Sequence, residues 1–574
     1  MIALIVVLAG LAVVDALDQF GADTLVVSVF PVIPLAIALA IAFHLRGIGF
    51  GDIIRGGAID SWAPGGALAG TSLSAVVLVG SPAAVALGGW YGLALIGALV
   101  AGLLLSSMLV MPELRATGSA TLAEAIGTRF GRQARLLSVV AIVMAALPLI
   151  AAEATLGGTI AGRMLGLTPA FARDAIILLA AIACILGGLR AALGMAAVLA
   201  PIVALAFLLP VTIVAERQGL LPLPWTGLTD PAAFESAAAI PFSVVLALLA
   251  SLVVGVAAMP SLLFPAWSTF KRPPHGRKLA LGPLIVAAVL LAAPSYAVYG
   301  RLAAIDPTTN PAGLVLNFPE RIGLSAAPSV LLIGSLLAAA LIAMAMGLAT
   351  LAASIGHDLY GGFVERTALE GRRVFIARLA MLLAAAAAIG VGRLPGANVA
   401  MLASVGLSVS AASLGPILLF GWRRRAVTSE AAIAAIAVGL WLTAANVVLA
   451  TLAPDFSGRF LGMGVVAPTV LGPTGWFGLP VGLSGLIGLV CGLITLAAFT
   501  WLPRLNWPLL RLKFRWLARH FRRRVETALA ERSRARAPKA VAKPASVAEN
   551  PAPAPDAPRP DSTPRNNAHP AQPI

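Results

Sequence analysis

Charge is what this chain has least of. Only 11% of its 574 residues are Asp, Glu, Lys or Arg and 59% are hydrophobic, where a soluble domain would carry about 25% charged residues. That deficit excludes a soluble enzyme, a disordered scaffold and a secreted disulfide-bonded module. Cysteine is nearly missing as well. Cys184 and Cys491 both sit in apolar runs, which leaves neither a disulfide framework nor a zinc-ligand spacing. Four of the five histidines, His44, His275, His520 and His569, lie in loops, near segment ends or in the tail and cannot cluster as metal ligands by spacing. No P-loop is present, so this chain contains no ATP-driven pump. The glycine-rich GIGFG at 47–51 has no strand ahead of it and is a weak nucleotide signal.

Long apolar runs take the place of what is missing. Mean hydropathy is +0.95, and a bilayer crossing needs about 20 apolar residues. Fourteen segments follow, at approximately 2–17, 25–45, 65–86, 90–112, 136–162, 173–189, 195–215, 241–266, 279–299, 329–355, 374–392, 397–421, 429–453 and 482–503. Helices satisfy their own backbone polar groups in hydrocarbon, and the alternation of outer-membrane strands is absent. The fold class is therefore an all-α polytopic membrane protein with about fourteen transmembrane helices. The start, MIALIVVLAGLAVVDALDQFG, lacks the basic region of a secretory signal and reads as a short first crossing, with a cleaved leader as the alternative.

The few charges report orientation. With the N-terminus inside, 17 Lys and Arg residues fall in cytoplasmic loops before the tail and seven outside, the seven being Arg163, Arg173, Arg217, Arg301, Arg321, Arg393 and Arg459. All five lysines are inside or in the tail. The positive-inside rule thus places both termini in the cytoplasm and the protein in the cell (inner) membrane. The formal charge of +16 suggests nucleic acid at first sight, yet +10 of it comes from 504–574, with 15 basic and 5 acidic residues. Its proximal part, RLKFRWLARHFRRRVETALAERSRAR, directly follows the last apolar run. A basic juxtamembrane helix on anionic lipid explains it better than RNA binding does. The Pro/Ala-rich stretch from 527 cannot bury a core and reads as disordered.

Two segments are interrupted. The third, PGGALAGTSLSAVVLVGSP, carries Gly65, Gly66, Gly70, Gly80 and Pro82. The eighth, LVVGVAAMPSLLFPAW, carries Gly255, Pro260 and Pro265. They stand five crossings apart and so run in opposite directions. A matched pair of this kind in two inverted halves marks the central binding site of a transporter. The plainer alternative is that Gly and Pro are simply common in transmembrane helices.

These residues resemble the sodium:solute symporter family over about 60–503. The resemblance is carried by AGTSLSAVVLVG in the third segment, MPELRATGSATLAEAIGTRFGRQARLLS after the fourth and ILGGLRAALG at the end of the sixth. GLATLAASIGHDLYGG closes the tenth, and PILLFGWRRRAVTSEAAIAAIAVG joins the twelfth to the thirteenth. Among subfamilies the chain is most similar to the cation/acetate and related monocarboxylate symporters. The resemblance implies a LeuT-like core of ten helices in two inverted five-helix repeats, segments three to seven and eight to twelve. The organisation becomes 1–58, two helices and a loop; 59–425, the transporter core; 426–503, two further helices; 504–526, the basic helix; and 527–574, the tail.

The resemblance also implies a cation site made of carbonyls from the first core helix and hydroxyls from the eighth. Aligned on Ser74, the carbonyl positions are Gly70 and Leu73. The usual hydroxyl pair is missing, because Ile342, Ala343 and Met344 stand in its place. Thr350 is the nearest hydroxyl, and Ser354 follows a turn later. Glu153 lies well inside the fifth segment, where many relatives carry an amide, and an intramembrane acid is a functional-site hypothesis by default. It could bind and release a proton during the cycle or attract a cation. A neutral hydrogen-bonded Glu, or one paired with an Arg, is the alternative. Thr71, Ser72 and Ser74 are the polar groups offered to a solute, and Val76 and Val77 leave the next turn apolar, which suits a short-chain acid better than a sugar. Free helix-end N–H groups would also favour an anion. Ser72 and Ser74 could instead bond back to their own helix. His357-Asp358 reads as a helix-end cap or gate contact.

Together these features describe a secondary transporter and not an enzyme. It would move a small organic solute, a monocarboxylate such as acetate, coupled to sodium or a proton, with no cofactor. A polytopic membrane enzyme would need an intramembrane polar constellation, and a sensor a folded signalling domain. An uncoupled transporter-like protein, acting as facilitator, sensor or partner subunit, is the alternative. Oligomeric state is not legible.

Overall fold

The computed structural model describes residues 9, 10, 13, 14, 31–47, 49–56, 58–59, 63–236, 241–264, 269–270, 276–394, 396–452 and 471–501. The basic stretch 504–526, the tail and nearly all of the first apolar segment lie outside them. Among the described residues the architecture is helical, apart from two-residue strands at Ala58–Ile59 and Thr269–Phe270 that pair in parallel.

Among the described residues nine helices are long and apolar enough to cross a membrane, or ten if one bent pair is counted as a single span. That pair is the interrupted third segment. Ala63–Ser72 and Ala75–Gly88 meet at a bend of 58°. The helical ladder is kept up to the bend by the Leu73 N–H on the Ala69 carbonyl, and resumes with the Leu78 N–H on the Ser74 carbonyl. The break falls on Leu73 and Ser74 rather than on a glycine or proline. Pro82 is accommodated inside the second half, which runs on to Gly88. Ser74, with extended backbone (φ −72°, ψ 162°), caps that half, its hydroxyl oxygen accepting from the Val77 N–H at 3.3 Å.

The eighth segment is interrupted where a proline dictates. Phe242–Ala257 ends, Met259 is extended (φ −66°, ψ 118°), and Pro260–Leu263 restarts with proline in its first turn. Pro265 lies outside the described residues. The sixth and seventh segments, read from the sequence as two, follow one another without an intervening loop over Pro169–Arg217, 49 residues that would make a single helix if they were straight. At about 1.5 Å per residue it would be more than twice a bilayer's hydrocarbon thickness. Gly188 resolves the difference, since its backbone (φ 57°, ψ −143°) leaves the helix and turns the chain between two halves. A side chain there would meet the Ile53 backbone at 2.5 Å.

Among the described spans Ala326–Val364, whose first part is the helix Ala326–Ala353, is the most enclosed, with 89% of its most apolar stretch buried. Arg132–Leu165 and Pro169–Arg217 pack against it, and Val399–Ser413 packs against Arg132–Leu165. The bent pair approaches the second half of Pro169–Arg217 so closely that a Cβ on Gly70 would lie 2.0 Å from the Ala196 carbonyl oxygen. Small-residue contacts of this type let helices approach in lipid, where no hydrophobic force drives them together. The periphery is apolar, with Phe171, Phe242, Leu284, Phe375, Leu383, Trp441 and Ile494 all exposed.

Candidate functional site

The bend at Leu73–Ser74 opens on a cavity of about 120 Å³. Thr71, Ser72, Ser74, Val76 and Val77 all line it, and Glu153 faces them from Arg132–Leu165. Met259 and Ser261 bring the second interruption to the same cavity, so both broken stretches meet there. Ala343 and Gly347 close it from Ala326–Ala353, and Leu407 from Val399–Ser413. Ser261 has no counterpart in the sequence reading. It is the hydroxyl that directly follows Pro260, which is the signal that could have found it.

The hydroxyls differ in what they can offer. Thr71 donates to the Ala67 carbonyl and Ser72 to the Leu68 carbonyl, each at 2.7 Å. Their protons are therefore committed within the helix, and only their lone pairs face a solute. Thr350 is fully buried and donates to the Met346 carbonyl at 2.7 Å. Neither Thr350 nor Ser354 is part of the cavity wall, which on that helix is made by Ala343 and Gly347. Leu73 is buried at the bend itself, and Gly70 packs on Ala196.

Glu153 is 5% exposed. Its Oε2 accepts from the Val76 N–H at 3.4 Å, and the Ser74 hydroxyl and the Ala75 N–H address the same carboxylate. These are the first amides of Ala75–Gly88, which have no partner inside the helix and carry the positive end of its dipole. Glu153 thus sits on a half-helix N-terminus, 77 residues away in sequence from the amide it meets. No arginine pairs with it among the described residues, and the cavity wall holds no other ionisable group.

A second polar cluster lies where the tenth segment runs on into Ser354–Val364. Asp358 is fully buried and takes two hydrogen bonds from the Arg135 guanidinium, at 3.0 and 2.7 Å, and one from the Thr121 hydroxyl at 2.8 Å. Beside it His357 Nε2 lies 3.3 Å from Glu124 Oε2. Burial alone would raise the Glu124 carboxyl, but the His357 contact and the Ala120 N–H outweigh burial and hold it at about 2. The cluster joins three elements, Leu122–Phe130, the start of Arg132–Leu165 and the end of the tenth segment.

Two interrupted helices around one cavity are the arrangement expected of a carrier. Residues 53–219 match the sodium:solute symporter family. An uncharacterized symporter of Cupriavidus necator is 31% identical over 189 residues, which is 32% of this chain and 26% of that protein. The match to this curated relative thus spans about a quarter of its length. A Na+-coupled sialic acid symporter, solved substrate-bound and outward-open, superposes with a TM-score of 0.65 at 15% identity, covering 83% of this chain and 98% of that one. At that identity the likeness speaks for the fold alone. The protein is a multi-pass membrane protein that shares its fold with that structure.

Proposed function

We propose that the protein is a secondary transporter that moves a small organic solute across the cell membrane by cation-coupled alternating access. The observation that carries this reading is the meeting of the third and eighth segments, both interrupted, at one cavity that also holds a buried carboxylate. The proposed architecture is fourteen crossings with both ends cytoplasmic. Its core of ten helices forms two inverted repeats, and the basic stretch 504–526 rests on anionic lipid.

The proposed solute is a short-chain monocarboxylate such as acetate. The resemblance to monocarboxylate carriers supports this. So do the apolar wall provided by Val76, Val77 and Leu407 and the small volume. The coupling ion is sodium or a proton. The family match speaks for sodium, with the Gly70 and Leu73 carbonyls as ligands. Ile342, Ala343 and Met344 offer no hydroxyl to complete such a site, and Glu153 supplies the charged oxygen instead.

Uptake of labelled acetate, pyruvate and lactate into vesicles, under sodium and proton gradients imposed separately, tests the proposal. Accumulation under one of the two gradients is expected. Saturable uptake without accumulation under either gradient removes the coupling and leaves a facilitator, and no saturable uptake of any of the three leaves the sensor or partner-subunit reading.

A further inference from the structure

We propose that Glu153 is an internal anion that occupies the place of the solute's carboxylate, so that each solute anion binds only after Glu153 has taken up a proton. The inference rests on the monocarboxylate reading above and gives the coupling a physical mechanism.

The geometry leaves few alternatives for holding an anion. Among the described residues no Lys, Arg or His lines the cavity on any of the helices that build it, and Glu153 is the one Asp or Glu that does. The Thr71 and Ser72 hydroxyl protons are already given to the Ala67 and Leu68 carbonyls. What remains for a carboxylate on the bent helix is the N-terminus of Ala75–Gly88, and Glu153 is there, with Val76 N–H on its Oε2. Two carboxylates cannot share one set of amides in a poorly hydrated cavity, because like charges a few ångströms apart repel strongly there. A proton on Glu153 removes that charge and weakens its hold on the amides. It also converts the side chain from an acceptor into a donor that can face the incoming anion. On the far side, loss of the proton restores the internal carboxylate and expels the solute. One proton then travels with each anion.

The test is equilibrium binding of labelled pyruvate to the purified full-length protein between pH 6 and 10. Pyruvate is chosen because its own carboxyl stays ionised throughout. In the wild type, affinity should fall about tenfold per pH unit once Glu153 ionises, since one proton is linked to each bound anion. Glu153→Gln, neutral at every pH, should flatten the profile and bind pyruvate more tightly than the wild type at pH 10. Glu153→Asp keeps a titrating carboxyl and should keep the slope, which guards against a Gln variant that fails to fold. A flat wild-type profile, or a slope that survives in Glu153→Gln, overturns the inference while leaving a monocarboxylate carrier intact. If neither protein binds pyruvate, lactate or acetate at any pH, the substrate reading falls, and this inference falls with it.

Discussion

Replacing Ser74 by alanine would remove the oxygen that caps Ala75–Gly88 through the Val77 N–H and the hydroxyl that addresses Glu153. Loss of a cap of this kind costs about 1 kcal/mol, so thermal unfolding of Ser74→Ala in detergent should show a modest loss of stability with the fold retained. The acid limb of stability has a different origin. The Glu124 carboxyl, ordinarily near 4.5, is held at about 2. A group depressed in the folded state stabilises fully above its unfolded value and loses that contribution as pH falls towards the folded one. Melting temperature measured from pH 6 downward should therefore fall between about pH 4.5 and 2, and Glu124→Gln should make that decline shallower. At this scale the sequence was only partly readable. The polar residues of the third segment and the acid of the fifth could be named from their positions in apolar runs. That Thr71 and Ser72 spend their protons locally, or that Arg135 reaches Asp358 across 223 residues, depends on helix rotation and docking that no local pattern contains.

At the scale of elements, Gly188 is the sharpest case. Its φ of 57° and the Ile53 backbone 2.5 Å from where a Cβ would stand leave room for no side chain. Gly188→Ala should cost about 1–3 kcal/mol in backbone strain alone, and the overlap with Ile53 adds to it. Expression with fluorescence-detected size exclusion should show reduced recovery of monodisperse protein, a larger effect than for Ser74→Ala. The same element shows where pattern reading works. Two apolar runs with Gly187-Gly188 near their junction were separable in the sequence, and the backbone leaves the helix at Gly188 with no loop between the two halves. The bend of the third segment shows the converse. Its glycines and Pro82 mark the right segment but not the break, which falls on Leu73–Ser74. There a serine cap and the Glu153 carboxylate, supplied by another helix, satisfy the amides left free.

For the whole molecule, orientation is the testable quantity. Leu221, 73% exposed, follows Pro169–Arg217 on the side the charge count assigns to the exterior, and Leu369, 81% exposed, lies in a loop that the same count assigns to the interior. With Cys184 and Cys491 replaced, a membrane-impermeant maleimide applied to intact cells should label Leu221→Cys and spare Leu369→Cys until the cells are opened. The membrane class was legible because so few residues are charged, and the orientation read from their sorting between loops is what this labelling tests. The cavity was legible only as two interrupted segments, since the helices that face each other across it are far apart in the chain.

Under the proposed linkage of one proton to each solute anion, the carboxylate of the cavity also sets the electrical character of the cycle. Moving one elementary charge through a potential of 100 mV is worth about 2.3 kcal/mol. The returning empty carrier holds one negative charge, on Glu153. The loaded carrier also holds one, on the solute beside a neutral Glu153. Both half-cycles therefore feel the membrane voltage equally and in opposite senses, and net transport answers to concentration gradients of proton and solute rather than to the potential across the bilayer.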